Sequence, residues 1–328
     1  MSAQSASSTK SLGILIGFDG SDHAIRALHW GAVEALRRNL PVTVMTAFTV
    51  PRLISGYVDS TTEVTGDSLA RQGAEQVLEE ARDLLQDFPG DAHYHVEYGD
   101  AAGVLVAHSS DAEVAVVGAR GRGGFIGRVL GSVSSALPAH ASCPTVIVDR
   151  SYEPYHAEGQ DRFTAQDDRP VSVGMDQSRG AKIAALHAAQ AAADHQVPLR
   201  VVMAIPPLDG ALLWYPELGP REEEAERRRR ELEDRLQTQV QWLSQHFENL
   251  VITPYLADGL PVEVLREETK RAQLTVVGTR GRGSLASALL GSTSSGVIMH
   301  ASGPVMVVPP VEDSRVEEED AAAQAPAR

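Results

Sequence analysis

Across 328 residues there is one cysteine, Cys143, so neither an intrachain disulfide nor a zinc site built on cysteines is available. Aromatic residues make up only 5%. No apolar run approaches the ~18 residues of a membrane-spanning helix, and the opening MSAQSASSTK has no apolar stretch behind it to act as a signal peptide. Cations are scarce as well: Lys+Arg number 29 against 44 Asp+Glu, a formal net charge of −15. A surface this acidic lacks the footprint for a phosphate backbone or an anionic membrane, so neither nucleic acid nor membrane is expected as a partner. Hydrophobic content is an ordinary 43%, and the length suits two domains. These absences lead us to expect a cytoplasmic protein.

What the chain does have is a second copy of itself. Residues 118–144, GARGRGGFIGRVLGSVSSALPAHASCP, match residues 278–304, GTRGRGSLASALLGSTSSGVIMHASGP, at 14 of 27 positions without a gap. The openings IGFDGS and VGMDQS also correspond. A period near 160 is a whole domain, too long for a solenoid repeat. The expected map is a tail over 1–10, a domain over 11–150, a polar linker over 151–170, a second domain over 171–310 and an acidic disordered tail over 311–328.

Each copy alternates short apolar runs with helical spacing. In the first, GILIGF, PVTVMTAF, HYHVEY, EVAVVG and PTVIVD read as strands, separated by helices near 22–40, 69–88, 102–110 and 125–140. The second copy repeats the order, with a long charged helix near 221–247 whose acids and bases at i,i+4 spacing read as a solvated face. Such alternation implies α/β architecture with a doubly wound parallel sheet in each copy. Ligands then sit beyond the carboxyl ends of the strands, where strand order reverses.

The chemistry-bearing residues gather at two strand ends per copy. Gly17 and Asp19 end the first strand; Gly118, Gly121, Gly123, Gly124 and Gly131-Ser132 follow the fourth. Gly174, Asp176, Gly278, Gly281, Gly283 and Gly291-Ser292 correspond to them. Glycines there permit positive φ and let N–H groups approach an anion, while a helix opening at Gly131 or Gly291 offers amides and hydroxyls to phosphate oxygens. The opposing reading is that the glycines only admit close helix–strand packing. Arg122 and Arg282 add a cation. The loop is neither a Walker A motif nor a dinucleotide fingerprint, having no G-K-[ST] and no G-x-G-x-x-G on the first strand. An aspartate repels phosphate, so Asp19 and Asp176 are better suited to ribose hydroxyls or an adenine amino group; the lesser reading, compatible with that one, is a helix N-cap.

On these motifs the chain resembles the universal stress protein family, in a tandem form. The spacing G-x2-G-x9-G-[ST], which marks that family's ATP-binding branch, occurs at Gly118/Gly121/Gly131-Ser132 and at Gly278/Gly281/Gly291-Ser292. The resemblance implies five-stranded sheets in the order 3-2-1-4-5 and one ATP per domain, with Mg²⁺. It implies binding by Ala119, Arg120, Val133 and Ser134 beside the first-copy residues above, and by Thr279, Arg280, Ser284, Thr293 and Ser294 in the second. Adenine is expected near Ala47–Val50 and Ala204–Pro207, which brings in Val50 and Pro207. The resemblance also implies an intrachain pseudo-dimer through the two fifth strands and leaves a homodimer open. Asp100, replaced in the second copy by Leu260, is an expected source of asymmetry. No His or Glu accompanies both loops as a base, which favours a regulatory binder with an unidentified partner, acting in stress or growth adaptation, over a slow ATPase or a transferase. A scaffold that no longer uses nucleotide is the third reading. Residues 51–66 and 206–220 differ between copies and are candidates for partner choice. His140 and His300 read as structural, and His93 and His95 lack an evident third metal ligand.

Overall fold

The computed structural model describes residues 10–50, 66–122, 130–153, 162–163, 167–207, 222–281 and 290–324. The chain divides into two compact units, Met1–Gln166 and Asp167–Arg328.

In the first unit the strands are β1 (Ile14–Gly17), β2 (Val42–Phe48), β3 (Ala92–Tyr98), β4 (Val114–Gly118) and β5 (Thr145–Val148). Their order is β3-β2-β1-β4-β5, and the pairs are parallel. The expected adjacency of the first and fourth strands is therefore real, with Ile14 beside Val114 and Ile16 beside Val116. β1, β4 and β5 are buried almost throughout, which explains their unbroken apolar sequences. β3 alternates half-buried and exposed positions, so His93 and His95 face outward. Among the described residues no three His, Cys, Asp or Glu side chains gather as metal ligands.

Helices α1 (Asp22–Arg38), α2 (Gly66–Leu84), α3 (Ala101–His108) and α4 (Ser132–His140) connect the strands. Ser21 caps α1, its hydroxyl accepting from Ala24 N. The sequence reading began the fourth helix at 125. It begins at Ser132, because Gly131 is its N-cap in extended geometry, and 125–129 lie outside the described residues.

The second unit repeats the plan: β6 (Val171–Gly174), β7 (Leu199–Ile205), β8 (Ile252–Asp258), β9 (Leu274–Gly278) and β10 (Val305–Val308), in the order β8-β7-β6-β9-β10. Its helices are α5 (Arg179–Asp194), α6 (Glu222–His246), α7 (Pro261–Thr269), α8 (Ser292–His300) and α9 (Ser314–Gln324).

Two expected loose segments are partly ordered. Residues 314–324 form a helix where a disordered tail was expected. Val316 is fully buried, Lys182 Nζ sits 2.6 Å from Asp320 and 2.9 Å from Glu319, and Arg179 pairs with Glu317. A lone apolar residue among acids carries no periodic signal; the helix is held by cations on α5. Parts of the expected linker likewise return to the first unit. Arg26 Nε donates to Tyr152 O, and Phe163 is buried against His29 and Phe88. His29 Nε2 donates to Arg162 O at 2.6 Å, leaving Nδ1 to accept from the Tyr152 hydroxyl.

Candidate functional site

Each unit has a cleft at the carboxyl ends of its first and fourth strands, where strand order reverses. The first measures about 390 Å³ and the second about 490 Å³.

One wall is built on Asp19. Its Oδ1 accepts from Ser21 N at 3.0 Å, and its Oδ2 accepts from Arg122 N at 2.8 Å. The aspartate therefore joins the start of α1 to the glycine loop after β4. Asp176 Oδ1 accepts from Ser178 N in the same way. The loop glycines are small for a steric reason. A Cβ on Gly121 would stand 2.3 Å from Asp19 Oδ2, and one on Gly281 would stand 2.5 Å from Asp176 Oδ2. At Gly118 a Cβ would meet the His23 backbone at 2.6 Å, and at Gly278 the Gly180 carbonyl at 2.9 Å. Gly17 and Gly174 similarly make room for Leu105 and Leu265. None of these has a positive φ. The sequence argument from left-handed backbone thus gives way to one from close approach at Gly118, Gly121, Gly278 and Gly281, whereas a Cβ on Gly131 would meet nothing nearer than 3.6 Å. Positive φ occurs instead at Gly20, beside Asp19, and at its counterpart Gln177.

The opposite wall is the first turn of α4 or α8. Gly131 N donates to Ala119 O at 3.0 Å and Gly291 N to Thr279 O at 2.7 Å, pinning each helix start to the strand end. Ser134 Oγ donates inward to Ala119 O, and Ser294 Oγ lies 3.0 Å from Gly291 O and 3.2 Å from Thr279 O. Both side chains are buried, so the phosphate role expected of these two hydroxyls is corrected to a structural one. Ser135 Oγ is similarly bonded to Gly131 O. What remains at the cleft is the N–H set of the first turn, at Ser132, Val133 and Ser134 or Ser292, Thr293 and Ser294, which has no acceptor among the described residues, with the exposed Ser132 and Ser292 side chains.

The floor is apolar: Met45, Leu105 and Val117 in the first unit, and Met203, Leu265 and Val277 in the second. The sequence reading missed this floor, since apolar residues on strands and helices read as ordinary core. The retention of Leu105 and Leu265 opposite Gly17 and Gly174 was the available signal.

Four expected site residues do not border the clefts. Ala119 and Thr279 are buried, their N–H groups donating to Val148 O and Val308 O and their carbonyls spent on the helix starts. Val50 and Pro207 lie beyond the lining, which reaches Ala47, Ala204 and Pro206. Arg120, Arg122 and Arg280 line the clefts as expected. Gly123, Gly124, Arg282, Gly283 and Ser284 lie outside the described residues, as do 51–65 and 208–221 of the two divergent loops. Asp100 is also reassigned. It caps α3 by accepting from Gly103 N and does not line the cleft, while Leu260 precedes a helix that starts with Pro261.

Burial, then Arg120 and Arg26, holds the His23 imidazole below its ordinary range. Burial pushes the Cys143 thiol up to about 11, so it is no nucleophile. His140 and His300 are exposed at the ends of α4 and α8.

With this geometry in view, a family model matches the chain twice, over residues 13–149 and 169–309, and its description is the universal stress protein family. The chain belongs to the universal stress protein family. A universal stress protein of Mycolicibacterium smegmatis is 32% identical over 310 residues, covering 91% of this chain and 97% of that one. A universal stress protein of Mycobacterium tuberculosis is 31% identical over 319 residues, covering 92% and 98%. The crystal structure of a universal stress protein from Archaeoglobus fulgidus superposes with a TM-score of 0.63 at 20% identity, covering 93% of this chain and 98% of that chain. At that identity the likeness speaks for the fold. No described helix is long and apolar enough to cross a membrane.

Proposed function

We propose that this universal stress protein is a nucleotide-dependent regulator that binds one adenine nucleotide, ATP with Mg²⁺, in each cleft. The observation that carries the reading is one arrangement built twice: a carboxylate on one wall, an apolar floor, and the N–H groups of a helix start on the other. The floor suits a base, Asp19 and Asp176 suit ribose hydroxyls, and the first turns of α4 and α8 suit phosphate. The donor sets fit a triphosphate, and Mg²⁺ in this reading is carried on the phosphates themselves.

We read the protein as a binder rather than an enzyme. His23, the titratable side chain at the start of α1, does not line the first cleft and corresponds to Gly180 in the second unit, so no histidine is held in both sites. Turnover is expected far below the ~1 s⁻¹ low end of ordinary enzymes. The test is to purify the chain without added nucleotide, denature it, and quantify what is released, followed by calorimetry with ATP and Mg²⁺. About two nucleotides per chain is the expected result. No release and no binding heat would transfer function to the scaffold reading.

A further inference from the structure

The two clefts differ in one wall. Arginines fill positions 227–230 of α6. Arg227 pairs with Glu231, Arg229 with Glu233 and Asp258, and Arg230 with Glu226. Arg228 has no such partner among the described residues. It is half-buried and lines the second cleft, with Leu232 one helical turn further along the same wall. The sequence reading of this run as a solvated face holds for its neighbours and fails for Arg228. No residue of α2, the corresponding helix of the first unit, borders the first cleft. There, Glu80 of α2 instead pairs with the loop cation, Arg122, at 3.2 Å.

A half-buried guanidinium with no counter-ion among the described residues is stabilised by an anion that reaches it. Its position is distinct from that of the helix-start amides. α6 packs on β7 and β8, whereas Gly291 is tied to the residue after β9. β7 and β9 flank β6, so the two anion-attracting points lie about two strand spacings apart, roughly 10 Å. Gln177, held at φ 64° where the first unit has Gly20, adds a second polar side chain that the first cleft lacks. The second cleft is also the larger, at about 490 Å³ against 390 Å³.

We propose that the second cleft takes a nucleotide that is anionic at both ends, with one phosphate group at the start of α8 and a further one at Arg228, carried on the ribose oxygen that Asp176 does not engage. The proposal rests on the nucleotide reading above and specifies which nucleotide class the second site selects. The first cleft, whose loop arginine is already neutralised by Glu80, takes the singly ended nucleotide.

The test uses the full-length chain with one cleft closed at a time, by Gly121→Val in the first or Gly281→Val in the second. The added side chain displaces Asp19 or Asp176 in each case. Calorimetry compares adenosine 5′-diphosphate with its 2′- and 3′-phosphorylated derivatives. In the chain with only the second cleft open, one of the derivatives should bind about tenfold more tightly than the diphosphate. Arg228→Ala should remove that gain while weakening the diphosphate distinctly less, and the first cleft should show no gain. Should either glycine variant melt well below wild type, the otherwise unaltered chain with and without Arg228→Ala gives the same comparison, the gain appearing in half the sites. Equal loss of affinity for diphosphate and derivatives would make Arg228 a stacking partner for the base and overturn the proposal. An unchanged affinity ratio would overturn it too, and both of those outcomes leave nucleotide binding standing. Failure of wild-type chain to bind any adenine nucleotide would instead overturn the parent reading, and this one with it.

Discussion

Gly118 and Gly121 are both small, and for different neighbours. Gly118 faces the backbone of His23, which cannot retreat, so Gly118→Ala is expected to cost about 1–3 kcal/mol of stability, measured by denaturant unfolding. Gly121 faces a carboxylate that can move. Gly121→Ala should therefore change nucleotide affinity more than stability, and the same division should hold for Gly278 and Gly281. His23 makes the first unit sensitive to acid. Burial holds its folded-state pKa below the ordinary histidine value of 6.5, so the unfolded chain takes up the proton first and stability falls as pH drops below that value. His23→Gln should flatten the difference between unfolding midpoints at about pH 7.5 and about pH 5.5. Cys143, with its thiol pushed up to about 11 by burial, should resist a thiol reagent near neutral pH until the chain is unfolded. At this scale the sequence disclosed where the special residues are better than what they do. The glycine positions were legible from the repeat, but their reason was contact across the chain. Ser134 and Ser294 were legible as hydroxyls beside the loop, while the carbonyls that engage them were not.

Elements were readable where apolar periodicity was strong and obscure where a helix depends on partners. The alternating strands and helices gave both sheets, and the motif positions gave the adjacency of β1 and β4. α9 escaped because Val316 is its one large apolar residue and its remaining hold is electrostatic. Ending the chain at Pro310 should re-expose Lys182 and the α5 surface together. The expected cost is then chiefly the burial of Val316, about 1.5–3 kcal/mol on the second unit's unfolding transition. Salt should weaken the Arg179–Glu317 pair, in which both side chains are about half exposed (48% and 52%). α6 escaped in a subtler way. Its i,i+4 pairing was evident, but only its packing on β7 and β8 turns Arg228 towards a cleft.

At the scale of the whole chain the duplication was the most legible feature, since two sets of strands imply two cores. Each unit carries a complete five-stranded sheet, so residues 10–166 and 167–324 produced separately should each fold, as read by cooperative thermal unfolding. By the nucleotide reading each piece should retain one ligand. The boundary was less legible, because Tyr152 and Phe163 belong by contact to the first unit although their neighbourhood is polar. The contact between a loop glycine and an aspartate occurs once in each unit, and this bears on inheritance. A missense change at Gly121 leaves the pair Gly281 and Asp176 intact, so by the nucleotide reading its carriers should hold a half-loaded protein with a graded phenotype. On that reading, losing both ligands through cleft residues takes one lesion in each unit, and screens for single-site null alleles should be enriched in core and truncating changes instead of cleft residues.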